Sequence, residues 1–281
     1  MTDSAASGSA PSGNVCYRHP DRQSYVLCQR CGRTICSECQ TQAAVGVHCP
    51  ECVREARASA PRTKPAIVTT LTRKDAPIVT YAIMALCVIM FIPELLLGSA
   101  FINQVVYFAP YTLVEPWRLV THLFAHSTQF PYIHILFNLF TLFMFGPVLE
   151  RMLGRARFIA LYFLSGFGGA VAVLLLAPGT PVLGASGAIF GLVAAYFVIQ
   201  RRLGFSNPTL LIVIVLNLAI GFFPGSNISW QGHLGGLIVG AAVAFVYLRT
   251  RQRSQRGLQV ALVGAVAVAL VAIILLRFFV F

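Results

Sequence analysis

From residue 78 onward, long apolar runs alternate with short loops, which is the pattern of an all-α polytopic membrane protein. Seven runs are candidate spans, at about 78–97, 133–150, 157–177, 186–200, 208–223, 232–248 and 258–277. A helix perpendicular to the bilayer needs about 20 residues, and several of these runs are shorter. The fourth has only about 15 residues, so we expect it inside the bundle, largely shielded from lipid.

The first 76 residues have a different composition. Residues 1–14 are polar and rich in Ser, Gly and Ala, which favours a disordered leader over a cleavable signal. Residues 15–55 contain seven of the eight cysteines, and residues 56–76 form a basic linker interrupted by proline. We therefore predict five parts: a leader (1–14), a cysteine-rich module (15–55), a linker (56–76), a membrane domain (77–250), and a loop with a seventh span (251–281).

Composition agrees with a membrane location, since 57% of the residues are hydrophobic and 11% are charged, against about 25% charged in soluble domains. The net charge of +12 could indicate nucleic-acid binding. However, the basic residues concentrate in alternate loops: Arg62, Lys64, Arg73 and Lys74 before the first span, Arg151, Arg155 and Arg157 after the second, Arg201 and Arg202 after the fourth, and Arg249, Arg251, Arg253 and Arg256 after the sixth. The positive-inside rule then predicts a cytoplasmic N-terminus and an external C-terminus. We expect an integral, multi-pass protein of the plasma membrane. These loops account for the charge, so no nucleic-acid partner is expected.

Four polar residues stand near the predicted outer ends of three spans: His134 and Asn138 on the second, Ser186 on the fourth and His233 on the sixth. Counted from the arginines that follow each span, the histidines and the serine lie about 22 to 26 Å above the cytoplasmic boundary, at about 1.5 Å per residue. They therefore share one depth. Taken singly, the serine could be a helix cap and the others helix contacts, but polar groups at this depth are functional by default.

Small residues predict which spans meet. Glycines recur every four residues on the fourth and sixth spans, at Gly187 and Gly191 and at Gly232, Gly236 and Gly240. Such stripes let two helix backbones approach closely, which would bring the Ser186 hydroxyl within reach of the His233 ring. A serine hydrogen-bonded to histidine is an activated nucleophile.

A third, acidic partner for this pair is not evident. From residue 78 onward the carboxylates are Glu94, Glu115 and Glu150, and none is an obvious neighbour of the histidine. We therefore predict a Ser–His dyad. The backbone N–H of Ser186 and the side chains of His134 and Asn138 are the candidate donors for a developing oxyanion.

At these residues the sequence resembles the rhomboid family of intramembrane serine proteases. The resemblance covers roughly residues 78–250 and rests on "WR" at 117–118, "HILFN" at 134–138, "ER" at 150–151, "GASGAIFG" at 184–191 and "GHLGGLIVG" at 232–240. It implies a six-helix bundle followed by one C-terminal transmembrane helix, seven in all. It also implies Ser186 as nucleophile, His233 as general base, His134 and Asn138 as oxyanion donors, and Phe190 packed on the His233 ring.

The resemblance further implies single-pass transmembrane substrates, cut near the outer boundary of the lipid bilayer without a catalytic cofactor. Trp117–Arg118 corresponds to a structural motif of the first loop, and His122 and His126 are interpreted as structural or interfacial. Two other functions remain open. One is a catalytically silent rhomboid-like binder of membrane helices, and the other is a transporter that uses His134 and His233 as a proton relay; the intact serine, histidine and oxyanion set favours the protease.

The cysteine-rich module has ligand pairs at regular spacing: Cys16 and His19, Cys28 and Cys31, Cys36 and Cys39, and Cys49 and Cys52. Four such pairs predict two structural zinc sites in a module similar to B-box zinc fingers. Alternating pairs often cross-brace, so Cys16, His19, Cys36 and Cys39 would hold one ion and Cys28, Cys31, Cys49 and Cys52 the other. A disulfide framework is the alternative, but thiols stay reduced on the cytoplasmic side.

Two points about this module stay open. His48 could replace Cys49 as a ligand, although the regular spacing favours Cys49. A cytoplasmic module of this kind suggests a protein partner, and DNA reading is the weaker alternative because no long basic helix is present.

Overall fold

The computed structural model describes residues 14–59, 76–205, 208–223, 226 and 228–280. The chain separates into two compact units, Met1–Ala66 and Ile67–Phe281. The predicted leader, apart from residue 14, and most of the predicted linker lie outside the described residues, so neither prediction is tested.

The N-terminal unit is small and irregular. It contains strands β1 (Val15–Cys16), β2 (His19–Gln23), β3 (Thr41–Gln42) and β4 (Val47–His48), paired as two antiparallel ribbons, β1 with β2 and β3 with β4, and one helix, α1 (Pro50–Ser59). Its buried hydrophobic cluster consists of six cysteines and a single aliphatic side chain, Ile35. A core of this size is too small to hold a domain of about 40 residues without a further crosslink.

The second unit is helical. Its helices are α2 (Ile78–Leu97), α3 (Ser99–Val105), α4 (Arg118–Thr121), α5 (Ile133–Leu153), α6 (Arg155–Leu176), α7 (Ser186–Arg202), α8 (Pro208–Ile220), α9 (Trp230–Arg249) and α10 (Arg256–Phe279). Of the described helices, five are long and apolar enough to cross a membrane: α2, α5, α6, α9 and the segment Arg253–Phe279 that contains α10. The prediction of a polytopic helical membrane protein is confirmed, and the fourth and fifth predicted spans are shorter helices of 17 and 13 residues.

Helix α7 lies within the bundle, as its short length predicted. Its buried positions include Ala188, Leu192 and Ala195, and it packs against both α6 and α9. Glycine is required at these contacts: a Cβ atom at Gly191 would lie 2.8 Å from the carbonyl oxygen of Gly236, and one at Gly169 would lie 2.7 Å from that of Gly232. The predicted close approach of the fourth and sixth spans is therefore confirmed.

A buried carboxylate caps the N-terminus of α2. Glu150, at the end of α5, accepts hydrogen bonds from the backbone N–H groups of Val79 and Thr80 at 3.0 and 2.7 Å and from the Thr80 hydroxyl at 2.7 Å. These donors belong to the first turn of α2, whose N–H groups have no partner inside the helix. Glu150 therefore has a structural role as a cap.

Candidate active site and metal centres

Ser186 and His233 meet at the end of the bundle where α7 and α9 begin, which we call the serine end. The Oγ atom of Ser186 lies 2.9 Å from Nε2 of His233. Ser186 is the first residue of α7, and His233 lies in the first turn of α9, which Ser229 caps by accepting a hydrogen bond from the Gly232 N–H at 3.2 Å. The glycine contacts between the two helices bring these first turns together.

The His233 ring is held in one orientation by Phe190. The two rings are stacked, with centroids 4.1 Å apart and planes inclined by 14°. Phe190 lies one turn after Ser186 on α7, so the same helix supplies both the hydroxyl and the surface against which the ring packs. His233 is 8% exposed, and its Nδ1 atom has no hydrogen-bond partner among the described residues.

The three acidic side chains from residue 78 onward have other partners. Glu150 caps α2, Glu115 forms an ion pair with Arg118, and Glu94 accepts a hydrogen bond from the backbone N–H of His126. The Arg118 guanidinium also donates to the carbonyl groups of Asn103 and Val106, at 2.5 and 2.8 Å, which is a structural role for this arginine. In the part of the chain that is described, the serine and histidine therefore form a pair without an acidic third member.

His134 and Ser186 both lie close to Gly184, in the loop that leads into α7. A Cβ atom at Gly184 would lie 2.7 Å from Nε2 of His134 and 3.7 Å from Oγ of Ser186. Gly184 has a φ of +122°, a conformation that residues with a side chain rarely adopt. The glycine thus allows the His134 ring to lie close to the backbone two residues before Ser186, with Nε2 among the nearest atoms.

Asn138 lies one turn after His134 on α5 and is 5% exposed. Its side-chain nitrogen donates to the carbonyl oxygen of His134 at 2.7 Å. This bond uses one of its two N–H groups and leaves the other for a ligand. No hydrogen bond joins Asn138 to Ser186 among the described residues, so its oxyanion role stays a prediction.

We expect Gly184→Ala to lower the rate of substrate cleavage by about 100-fold, as for the loss of one oxyanion donor. The new methyl group would collide with the His134 ring and would strain the backbone. Gly179→Ala is a matched control in the loop before α7, because nothing lies within 4 Å of a Cβ atom there. Rates of both variants on one test substrate in liposomes check the prediction. Equal rates for Gly184→Ala and wild type would contradict it.

Two clusters of side chains that could hold a metal ion occupy the N-terminal unit. The ligand atoms of Cys16, His19, Cys36 and Cys39 lie within 4.8 Å of one another, as do those of Cys28, Cys31, Cys49 and Cys52. The alternating grouping is the one that the spacing predicted, and Cys49, not His48, belongs to the second cluster. None of the eight cysteines is in a disulfide.

The dimensions of the clusters fit a tetrahedral metal site. His19 Nδ1 lies 3.3, 3.4 and 3.7 Å from the Sγ atoms of Cys36, Cys39 and Cys16, and the Sγ atoms of Cys31 and Cys49 are 3.7 Å apart. Zinc–sulfur bonds of about 2.3 Å at tetrahedral angles require ligand separations of about 3.7 Å.

One thiol in each cluster, Cys16 in the first and Cys28 in the second, accepts hydrogen bonds from backbone N–H groups. Burial raises the pKa of the Cys16 and Cys28 thiols, but backbone N–H donors more than offset it and bring both pKa values to about 6. Because the thiolate is the form that binds metal, these two groups are prepared as ligands at neutral pH.

The fold and the pair define the class: a multi-pass helical membrane protein with a part-buried, hydrogen-bonded serine–histidine pair. The family model described as "Rhomboid domain" matches residues 113–250. YdcA of Bacillus subtilis (strain 168), named as a candidate rhomboid protease, is 37% identical over 144 residues, which are 50% of this chain and 71% of YdcA. The chain belongs to the rhomboid family.

Two further relatives extend the similarity. The rhomboid protease GluP of Bacillus subtilis (strain 168) is 35% identical over 205 residues, 68% of this chain and 39% of GluP. The rhomboid protease GlpG of Serratia proteamaculans (strain 568) is 30% identical over 198 residues, 66% of this chain and 68% of GlpG.

Sequence reasoning missed three contributors to this end of the bundle. It did not assign a role to Gly184, to the backbone N–H of Ser127 or to Glu94. The glycine could have been noticed because it stands two residues before the serine, in a loop that enters a helix. A backbone N–H has no signature in the sequence, and the contact of Glu94 joins positions 32 residues apart.

Proposed function

We propose that this protein is an intramembrane serine endopeptidase that acts through a Ser186–His233 dyad. The observation that carries the proposal is the 2.9 Å contact between Ser186 Oγ and His233 Nε2. His233 takes the hydroxyl proton while Oγ bonds to the carbonyl carbon of the scissile peptide. The peptide C–N bond then breaks, His233 gives the proton to the leaving amine, and water hydrolyses the ester by the same route.

The tetrahedral intermediate needs donors for its oxyanion. We assign this role to the backbone N–H of Ser186 and to the side chains of His134 and Asn138. The first is an unpaired donor because it begins a helix, and the ring of His134 lies against Gly184, two residues before the serine. The reaction requires no cofactor in this scheme.

We infer that the substrates are single-pass transmembrane proteins in the same bilayer. The site lies within an apolar bundle, and a peptide that enters it sideways must first lose its helical hydrogen bonds. Segments that contain glycine, proline or polar residues unwind most readily. With the N-terminus in the cytoplasm of a plasma-membrane protein, as the arginine-rich loops favour, cleavage falls near the outer boundary.

We propose that the N-terminal module binds two zinc ions, which stabilise its fold, and recruits a cytoplasmic protein. The ligand separations and the lack of a larger core support the structural role. All four ligands of each site come from the protein, so neither ion has an open position for catalysis. Nucleic acid is not an expected partner.

A catalytically silent binder of membrane helices is the competing function. Comparing wild type with Ser186→Ala on one single-pass test substrate in liposomes distinguishes the two. The protease proposal requires cleavage by wild type alone, whereas a silent binder retains the substrate intact with both proteins.

We expect Asn138→Ala to slow turnover by about 100-fold, corresponding to about 3 kcal/mol of transition-state stabilisation. The loss is smaller than that for Ser186→Ala, because the nucleophile and two other donors remain. Asn217→Ala provides a matched control, since this exposed amide on α8 donates to the carbonyl of Val213, four residues before it, as Asn138 does to His134. Unchanged turnover in Asn138→Ala would remove Asn138 from the site.

A further inference from the structure

A buried carboxylate lies at the serine end of the bundle and has no part in the dyad. Glu94, in the last turn of α2, has no solvent exposure. Its two carboxylate oxygens lie 3.1 and 3.0 Å from the backbone nitrogen of His126. An ionisable group inside a membrane protein is costly and is usually retained for a function, so this position needs an explanation beyond packing.

The residue after His126 touches the candidate oxyanion donor. The backbone N–H of Ser127 donates to Nδ1 of His134 at 3.2 Å. A ring nitrogen that accepts a hydrogen bond carries no proton, so neutral His134 must carry its proton on Nε2. Nε2 is on the side of the ring that faces Gly184, two residues before Ser186. The Ser127 contact therefore selects the tautomer in which His134 can donate toward the oxyanion.

The same loop also holds Gly184 in place. The carbonyl oxygen of His122 accepts the backbone N–H of Gly184 at 2.8 Å. Residues 122–127 thus contact both His134 and the segment that leads into Ser186. Glu94 accepts the N–H of His126, and the next N–H along the chain, that of Ser127, donates to His134. A displacement of the His126 backbone would therefore move the donor to His134 directly.

We propose that Glu94 is a positioning residue that sets the tautomer of His134. Its carboxylate holds the His126 N–H, which places the Ser127 N–H on Nδ1 and leaves the Nε2 proton directed at the oxyanion. The catalytic consequence rests on the proposed function, but the tautomer is a property of the resting protein and can be measured without substrate.

The first measurement is the tautomer itself, by nitrogen-15 solid-state NMR of histidine-labelled full-length protein in liposomes. A His134→Ala sample identifies the signal of His134 among the six histidines. We expect wild type to show an unprotonated Nδ1 and a protonated Nε2. A protonated Nδ1 in wild type would overturn the proposal without any variant of Glu94.

The second measurement compares substitutions of Glu94. Glu94→Leu removes the acceptor, and we expect a mixed His134 tautomer with kcat about 10-fold to 100-fold lower, approaching the loss of one oxyanion donor, while KM stays within about twofold because substrate binding is not altered. Glu94→Gln keeps one acceptor oxygen and should restore most of kcat and the wild-type tautomer. Leu96→Ala is the control, since this neighbouring side chain is 78% exposed.

The outcomes separate positioning from a general structural role. A fall in kcat with the wild-type tautomer retained in Glu94→Leu would overturn the proposal, as would unchanged kcat in that variant. If Glu94→Leu does not fold, Glu94→Gln and the wild-type tautomer still decide the question. If wild type proves inactive, the proposed function fails, but the tautomer shift in Glu94→Leu still tests the positioning.

Discussion

Ser186→Ala is expected to abolish cleavage of a single-pass substrate in liposomes. Its Oγ atom is the only hydroxyl oxygen within hydrogen-bond distance of His233 among the described residues, so no other described group can replace it as nucleophile. In soluble serine proteases the loss of the serine lowers kcat by about a million-fold. We therefore expect no product above background in a gel assay that detects wild-type cleavage within minutes.

His233→Ala should have an effect of similar size, because the hydroxyl is a weak nucleophile without a base. The two residues act as one unit, so the double variant should be no slower than either single variant. Ser165→Ala is a matched control: this serine is also buried in the bundle, on α6, and its hydroxyl has no hydrogen-bond partner among the described residues. It should retain near wild-type turnover.

Folding must be measured alongside activity. Loss of the His233 ring removes its stacking on Phe190, which we expect to lower the thermal unfolding temperature in detergent, whereas Ser186→Ala should leave it nearly unchanged. Cleavage by folded Ser186→Ala near the wild-type rate would reject the dyad. Intact substrate that co-purifies equally with wild type and Ser186→Ala would instead support the silent binder.

The contact between Ser186 and His233 could be predicted because it depends on glycines that recur at a regular spacing. A glycine at every fourth position can be recognised in a sequence. It identifies two helices whose backbones can come into contact, as they do at Gly191 and Gly236. The depth of each polar residue follows from its distance to the next arginine. By contrast, the short helices α3 and α4 lie within what the sequence suggested only as a loop, since their few turns carry no clear period.

The contacts that surround the pair were less accessible to prediction. Glu94 was considered only as a third member of the triad and was set aside, because nothing local indicates that the end of α2 meets the loop at His126. The path of that loop depends on tertiary packing, and this path determines which backbone N–H donates to His134. The candidate metal ligands were easier to predict, since the two members of each pair are close in sequence. Only the combination of the pairs into two clusters depends on the fold.

Removal of zinc is expected to unfold the N-terminal module and to leave the membrane domain folded. The module has one buried aliphatic side chain besides its cysteines, whereas a structural zinc site contributes about 10 to 16 kcal/mol of apparent binding energy. Elemental analysis of protein purified under reducing conditions without chelator should therefore give two zinc ions per chain. Limited proteolysis after chelation should cut within residues 15–55 and spare the helices from residue 78 onward.

Substitutions assign each ion to its ligands. Cys16→Ala and Cys28→Ala should each lower the content to about one zinc per chain, because they remove ligands of different clusters. Cys87→Ala is the matched control: this buried cysteine of α2 belongs to neither cluster, so two ions should remain. A content of one ion in wild type would refute two separate sites, and a content of none would refute zinc binding.

The same treatment tests whether the module and the membrane domain act independently. Two compact units joined by a linker predict that chelated protein, and a truncated chain beginning at Ile67, keep wild-type turnover on a test substrate that needs no recruitment. Zinc would then stabilise the module alone, because no proposed catalytic residue lies in it. If the truncated chain inserts correctly in liposomes and is inactive on that substrate, the module takes part in catalysis and the prediction of an independent unit is wrong.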